Sequence, residues 1–107
     1  MLLLLVKYML SIIYKNSLRT DKSIEDFKKW LKQYWPFHQK LGALEMEVYQ
    51  SLSYSEAGVF FVKYKLKNLD KYIEGITSAE GEKMLKSLSE IVDTTQTTSE
   101  VIIEVPM

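Results

Sequence analysis

One histidine and a group of aromatic residues have the types and spacing that could do chemistry. His38 is the only histidine of the 107 residues, and a neutral imidazole can act near pH 7 as a general base or a metal ligand. Trp30, Tyr34, Trp35 and Phe37 crowd the same stretch. They could form the wall of a site for a flat apolar ligand, which the Tyr34 hydroxyl would orient. Alternatively, the histidine is a core or rim residue and the aromatic rings fill a small core.

Hydroxyl groups on the predicted strands are the second set of candidate side chains. We expect Tyr8, Ser11 and Tyr64 to point into the same pocket, where they would orient a ligand or pass a proton. Tyr14 and Tyr49 also lie on predicted strands. Half-buried tyrosines are common on strands without any such role, because aromatic side chains pack well on a pleated surface. Both interpretations stay open for each tyrosine.

The sequence predicts no metal site and no cofactor. A zinc or iron centre takes about three protein ligands, and this chain offers one histidine and no cysteine. Glu45 and Glu47 lie close together, but strand alternation turns them away from the predicted core. The glycine-rich loops that hold phosphates and dinucleotides are missing. If the protein is an enzyme, His38 would therefore be the base, and it would act without a metal or a cofactor.

The charge balance argues against nucleic acid as a partner. The 14 basic and 14 acidic residues give a formal net charge of zero, so no overall field attracts a polyanion. A local basic run surrounds Tyr64 and consists of Lys63, Lys65, Lys67 and Lys71. The glycine and aromatic string that is typical of RNA-binding sheets is absent. We therefore expect these lysines at solvated strand edges and loop ends.

The apolar start of the chain is interpreted as a strand. Met1–Val6 is much shorter than the roughly 20 apolar residues of a membrane span. It lacks the preceding basic region and the following small-residue cleavage site of a secretory signal, and Lys7 interrupts it. The absence of cysteine is in keeping with a reducing compartment. We therefore expect a cytoplasmic protein with no membrane partner.

The hydrophobic pattern predicts a single α+β domain over residues 1–107. Runs of large apolar residues predict four strands, at Met1–Tyr14, Ala43–Leu52, Val59–Leu66 and Ser99–Val105. The polar residues of Lys15–Lys22 predict a loop after the first strand.

The first helix is predicted from Ile24 to Leu41, because its apolar residues recur in steps of three and four. Ser23 begins the helix as an N-cap, and Gly42 is its expected C-terminal stop. Pro36 removes one helical hydrogen bond, so we expect a kink or a break around it.

Two further helical segments are predicted after the third strand, where Asn68 caps Leu69–Ile76 and Ser78 caps Ala79–Val92. The element order is then β-α-β-β-α-β. A right-handed crossover places the third strand between the first and the second, and the fourth beside the first. The predicted sheet order is 4-1-3-2, which is that of a ferredoxin-like sandwich.

The two central strands of this sheet, Met1–Tyr14 and Val59–Leu66, are interpreted as apolar on both faces. Helices can cover only one face, and a large exposed apolar patch is unusual on a monomer. We therefore expect a homodimer that packs sheet face against sheet face. Loops of the same chain, or a partner protein, are the alternative cover.

Two segments resemble the dimeric α/β-barrel superfamily, which includes antibiotic-biosynthesis monooxygenases, EthD-like, NIPSNAP-like and heme-degrading proteins. They are IEDFKKWLKQYWPFHQKLGALEMEVYQSL and KYIEGITSAEGEKMLKSLSEIVD. The resemblance implies a pocket between helices and sheet, which in relatives holds aromatic polyketides, heme or other small molecules. Heme-degrading relatives pair an asparagine on the first strand with a tryptophan and a histidine. No asparagine lies in Met1–Tyr14, so heme degradation is not expected.

Two function hypotheses follow. The first is a homodimeric protein that binds a small, mostly apolar molecule between the first helix and the sheet, with His38 as the base of a cofactor-independent, monooxygenase-like reaction. The second is a non-catalytic, self-associating or stress-related interaction module. A ligand-sized void beside His38 would favour the first hypothesis, and a solid aromatic core there would favour the second.

Overall fold

The structure, a computed structural model, describes residues 10–53 and 58–107. These residues form four strands, three helices and one 3₁₀ turn. In chain order they are β1 (Leu10–Ser17), α1 (Ile24–Lys40), β2 (Ala43–Gln50), β3 (Val59–Leu66), α2 (Leu69–Ile76), α3 (Ala79–Leu88), the 3₁₀ turn Thr94–Gln96 and β4 (Thr98–Ile103). The sheet order is β2-β3-β1-β4, with every neighbouring pair antiparallel. The predicted ferredoxin-like α+β fold and its strand order are confirmed.

The first strand ends later than its composition predicted. Lys15, Asn16 and Ser17 were assigned to a polar loop, but they continue β1 and pair with Phe61, Phe60 and Val59 of β3. Backbone pairing with β3, and for Lys15 also with Thr98 of β4, holds these polar residues in the strand. The correction matters for the site, because it puts an asparagine on the first strand. The predicted beginning of this strand, over residues 1–9, lies outside the described residues.

Helix α1 begins after Ser23, the predicted N-cap, which forms a reciprocal capping box with Asp26. The Asp26 backbone N–H donates to Ser23 Oγ at 3.3 Å, and the Ser23 N–H donates to Asp26 Oδ2 at 2.9 Å. The bond from the Ser23 N–H, together with one that the Ser23 hydroxyl donates to the same carboxylate oxygen at 3.1 Å, lowers the pKa of the Asp26 carboxyl. Gly42 follows the helix with a φ of 96°, a left-handed conformation that favours glycine.

A kink or a break was predicted at Pro36, and the break does not occur: α1 is helical from Ile24 to Lys40. Pro36 is exposed, so water can solvate the carbonyl that loses its helical donor. Asn68 and Ser78 cap α2 and α3 as predicted, but α3 ends at Leu88 rather than at Val92. The strands β2 and β4 end at Gln50 and Ile103, earlier than predicted.

The core lies between one face of the sheet and the helices. Ile12 of β1 and Val62, Tyr64 and Leu66 of β3 are buried on this face. They belong to one hydrophobic cluster with α1, α2 and α3, whose buried members are Phe27, Trp30, Leu31, Tyr72, Met84 and Leu88. Strand alternation explains the pattern, because residues two apart share a face.

The other face of the sheet is mixed in character, which corrects the interpretation of β3 as apolar on both sides. Phe61 lies on this face, but Lys63 and Lys65 follow it in the alternation. Lys63 Nζ lies 3.7 Å from Glu47 Oε1 on β2, and Glu45 lies opposite Lys65. Charged cross-strand pairs therefore cover part of the surface that was predicted to be apolar.

Candidate functional site

A small cavity lies between the sheet, α1 and α3. Its volume is about 60 Å³ and its lining is mostly apolar. The polar side chains at its wall come from β1, α1, β3 and the segment before β4. The lining residues are Tyr14, Asn16, Phe27, Trp30, Leu31, His38, Val62, Tyr64, Ile76, Met84, Leu85, Leu88 and Thr97.

His38 lines this cavity with a neutral imidazole. The residue is 2% exposed, and its Nδ1 lies 2.8 Å from the Tyr34 carbonyl oxygen. A carbonyl only accepts hydrogen bonds, so Nδ1 must carry the proton. Burial lowers the pKa of His38, and the bond to Tyr34 opposes that shift only in part. Tyr34 is the one hydrogen-bond partner of this ring among the described residues, so the other ring nitrogen, Nε2, is unprotonated and carries a lone pair.

Aromatic rings hold the His38 ring in place. Tyr64 stacks on it with a centroid distance of 4.3 Å and an interplanar angle of 9°. Trp35 stacks in turn on Tyr64 at 6.2 Å and 12°, and Phe37 meets His38 edge to face at 6.1 Å. The imidazole is thus oriented by packing and by its one hydrogen bond.

Two tyrosine hydroxyls form a pair at the sheet. Tyr14 Oη on β1 lies 3.1 Å from Tyr72 Oη on α2. Tyr72 is fully buried, while Tyr14 lines the cavity. Burial raises the pKa of both phenols, so both remain protonated at neutral pH.

Asn16 and Thr97 are a second polar pair at the cavity wall. The Thr97 hydroxyl donates to Asn16 Oδ1 at 3.2 Å, and both residues line the cavity. Asn16 is buried. The side-chain oxygen of Asn16 therefore already accepts a hydrogen bond, and its side-chain NH2 group is the donor that remains for a ligand.

Trp30 joins α1 to α3 at the edge of the cavity. Its Nε1–H donates to Ser87 Oγ at 2.8 Å, and that hydroxyl donates to the Met84 carbonyl at 2.8 Å. The Tyr34 ring packs on Trp30 with a centroid distance of 5.0 Å. The indole is therefore satisfied within the fold and offers the cavity an apolar surface.

The structure brings three of the residues predicted for the site to one cavity: Trp30, His38 and Tyr64. Tyr34, Trp35 and Phe37 pack around the core instead of lining the cavity. Tyr34 contributes its backbone carbonyl and lies at an outer groove. Tyr8 lies outside the described residues.

Ser11 was expected beside the tyrosines, and the structure corrects this placement. It lies next to Ile12 on β1, and strand alternation turns it to the opposite face of the sheet. There it is buried in a polar groove whose lining includes Lys63, Lys65 and Glu47.

Sequence reasoning missed three residues at the site, Asn16, Tyr72 and Thr97, and it left both interpretations open for Tyr14. Asn16 was placed in a loop, although it continues the alternation of Ile12 and Tyr14. That alternation was the signal that could have found it. Tyr72 and Thr97 gave no such signal, because their positions depend on how α2 and the 3₁₀ turn return to β1.

The cavity does not fit a heme. Asn16, Trp30 and His38 all line it. The first strand therefore carries an asparagine, although none lies within its predicted range of Met1–Tyr14. The volume of about 60 Å³ is nevertheless far below the roughly 300–1,000 Å³ of sites for larger ligands. Within residues 10–53 and 58–107, no group of three His, Cys, Asp or Glu side chains is placed to hold a metal ion.

None of the helices described here has the length and apolar character that a membrane crossing requires. No protein-family model matches the chain, and no curated protein does.

Solved structures share the fold over nearly the whole chain. SnoaB, a cofactor-independent oxygenase from Streptomyces nogalater, matches with a TM-score of 0.72 at 5% identity, covering 92% of this chain and 94% of that chain. A conserved protein from Methanosarcina mazei Go1 matches with a TM-score of 0.70 at 20% identity, covering 92% and 97%. A candidate antibiotic biosynthesis monooxygenase from Nitrosomonas europaea matches with a TM-score of 0.69 at 14% identity. The match covers 92% of this chain and 91% of that chain. At these identities the likeness establishes the fold, and it confirms at that level the resemblance noted in the sequence.

Proposed function

We propose that this protein binds a small, mostly apolar molecule in the cavity between α1 and the sheet, and that His38 takes a proton from it in a cofactor-independent, monooxygenase-like reaction. One observation carries the proposal: a buried, neutral histidine lines an apolar cavity and forms its one hydrogen bond within the described residues through Nδ1, which leaves Nε2 as a base. A base in that state is ready to accept a proton near pH 7. The oxygenase and monooxygenase names among proteins of the same fold give independent support.

The proton transfer needs only groups of this chain. A C–H bond next to a ligand carbonyl breaks, the proton moves to His38 Nε2, and the electron pair remains on the ligand as an enolate. The resulting imidazolium keeps its Nδ1–H bond to the Tyr34 carbonyl, which stabilises the positive charge. An enolate is an electron-rich species with which molecular oxygen can react.

The size of the cavity limits the ligand. About 60 Å³ is less than half of the roughly 150 Å³ of an engineered cavity that holds benzene. A larger molecule must displace a lining side chain. Met84 is flexible and polarisable, and Leu85 is 41% exposed. Both lie on α3 at the cavity wall, so this helix is the side from which we expect a ligand to enter.

Deuterium exchange into acetone tests His38 as a base. In D2O near neutral pH, the wild-type protein should accelerate exchange of the methyl protons, and His38→Gln should lower this acceleration by about 100-fold, since general bases contribute about 10²–10⁴-fold. Gln39→Ala, an exposed neighbour on α1, is the matched control and should exchange at the wild-type rate. Proton NMR follows the reaction. Equal rates for the wild type and His38→Gln would rule out the base.

We also propose that the protein forms a homodimer through the sheet face opposite the helices. Ile13, Phe61 and Ile102 are apolar side chains on that face, and Ile102 is 38% exposed. The Glu47–Lys63 pair on the same face neutralises its own charge, so a second copy could cover it at a lower desolvation cost.

A non-catalytic, self-associating module is the second candidate function. The small volume of the cavity favours it, because dense aromatic packing fills most of the space around His38. A dimer whose His38→Gln variant retains all measurable properties except thermal stability would support this alternative.

A further inference from the structure

The hydroxyl pair of Tyr14 and Tyr72 contains one hydrogen more than its own bond uses. The two oxygens lie 3.1 Å apart, and each phenol carries one donor hydrogen. One hydrogen lies between them, so the other must find an acceptor elsewhere. No other hydrogen bond to either hydroxyl exists among the described residues.

Burial determines which hydroxyl carries the spare hydrogen. If Tyr14 donated to Tyr72, the remaining hydrogen would belong to Tyr72, which is 0% exposed and does not line the cavity. A buried donor without an acceptor is unfavourable, because it loses its hydrogen bond to water and gains none in the protein. If Tyr72 donates to Tyr14, the spare hydrogen belongs to Tyr14, whose ring lines the cavity. The second arrangement leaves no donor stranded in the core.

We propose that Tyr14, oriented by Tyr72, is the hydrogen-bond donor with which the cavity recognises an acceptor oxygen on its ligand. The proposal rests on the ligand site proposed above and deepens it. Tyr14 is the binding residue, and Tyr72 is a positioning residue because it acts through Tyr14. The hydrogen bond that Tyr14 accepts from Tyr72 also polarises the O–H of Tyr14, since chained hydrogen bonds strengthen one another.

The donor and the base together define a ligand class. Tyr14 offers an O–H, and His38 offers a lone pair in the same cavity. The surrounding wall is apolar, with Phe27, Leu31 and Val62 among its members. A compact molecule with a carbonyl or enol oxygen beside an acidic C–H or O–H could bind the Tyr14 donor, the His38 base and the apolar wall together. A hydrocarbon of the same shape could contact only the apolar wall.

The test compares acetone with isobutene, which has the same shape but a CH2 group in place of the oxygen. Binding is followed by NMR at the methyl group of Met84, which lines the cavity, with Met46 on β2 as an internal reference outside it. The acetone-to-isobutene affinity ratio should fall by about two- to tenfold in Tyr14→Phe, as for loss of one hydrogen bond, and less in Tyr72→Phe. Isobutene affinity should stay at the wild-type value. Tyr49→Phe, on the opposite face, is the matched control.

The outcomes separate this proposal from the one on which it rests. If both probes shift Met84 and the ratio is the same in the wild type and Tyr14→Phe, the role of Tyr14 is wrong and the ligand site stands. If the ratio changes in Tyr14→Phe but not in Tyr72→Phe, Tyr72 does not position the donor. If neither probe shifts Met84 in the wild type, the ligand site is wrong, and the inference falls with it. A change of the ratio in Tyr49→Phe would also overturn it.

Discussion

At His38, burial and the bond to the Tyr34 carbonyl act on the pKa in opposite directions, and burial has the larger effect. The folded-state pKa is therefore below the ordinary value of 6.5. Below about pH 6.5, His38 binds a proton in the unfolded chain but stays unprotonated in the folded protein until the pH reaches its lowered pKa. The contribution of His38 to stability is complete above this pH and is lost as the pH falls towards the folded-state pKa.

This shift predicts a pH-dependent stability that one substitution removes. Between pH 7 and pH 5, the free energy of unfolding of the wild type should fall by up to about 1.4 kcal/mol per pH unit. His38→Gln does not titrate and should remain nearly level. Asp26 and Asp93 have lowered pKa values, so their contributions are lost only below about pH 4. Urea unfolding at several pH values measures the slopes, and parallel curves for the two proteins would contradict the assignment.

At the scale of the secondary-structure elements, the contact between α2 and α3 depends on a close approach of their backbones. A Cβ built on Gly81 would lie 2.1 Å from the carbonyl oxygen of Ile76. A Cβ on Gly75 would instead meet the Leu41 side chain, also at 2.1 Å. A side chain can rotate away, whereas the carbonyl at the end of α2 can move only with its backbone. The two glycines therefore differ in what a methyl group would displace.

Gly81→Ala should destabilise the protein by about 3 kcal/mol, because α3 must move off α2. Gly75→Ala should cost about 1 kcal/mol, since Leu41 can repack. Thermal or denaturant unfolding measures both values. Met84 and Leu85 lie one turn further along α3, so the Gly81 variant should also alter the Met84 methyl signal. A smaller loss in Gly81→Ala than in Gly75→Ala would show that the junction relaxes more easily than the side chain.

The elements were largely predictable because their signals are local. Capping at Ser23, Asn68 and Ser78 depends on a few neighbouring residues, and so does the stop at Gly42. The end of β1 was not predictable from composition, because pairing with β3 decides it. The site was predictable only in part. His38 could be assigned to the apolar side of its helix, whereas the partnership of Tyr14 and Tyr72 joins residues 58 positions apart.

At the scale of the whole molecule, the sheet face opposite the helices is the surface on which the proposed homodimer depends. Phe61 lies on this face between Tyr49 and Lys15 in the cross-strand register. A half-buried aromatic ring in such a position is a typical anchor of an interface. The face around Phe61 also carries charged side chains. The contribution of Phe61 to the proposed dimer is therefore tested by a substitution at Phe61 itself.

Phe61→Glu should convert the proposed dimer to monomers or aggregates, because the interface would lose its aromatic ring and would have to desolvate a new carboxylate. Light scattering coupled to size-exclusion chromatography measures the mass. Leu52→Glu, a substitution at a side chain that is 91% exposed beyond β2, is the control and should keep the wild-type mass. A Phe61→Glu variant that is still dimeric would exclude this face as the contact.

The position of the two indoles has a practical consequence. Both tryptophans of the chain lie on α1, where Trp30 lines the cavity and Trp35 stacks on Tyr64, another residue of the cavity wall. Intrinsic fluorescence should therefore report occupancy without any attached label, and quenching by added small ketones would give a rapid survey of chemical libraries.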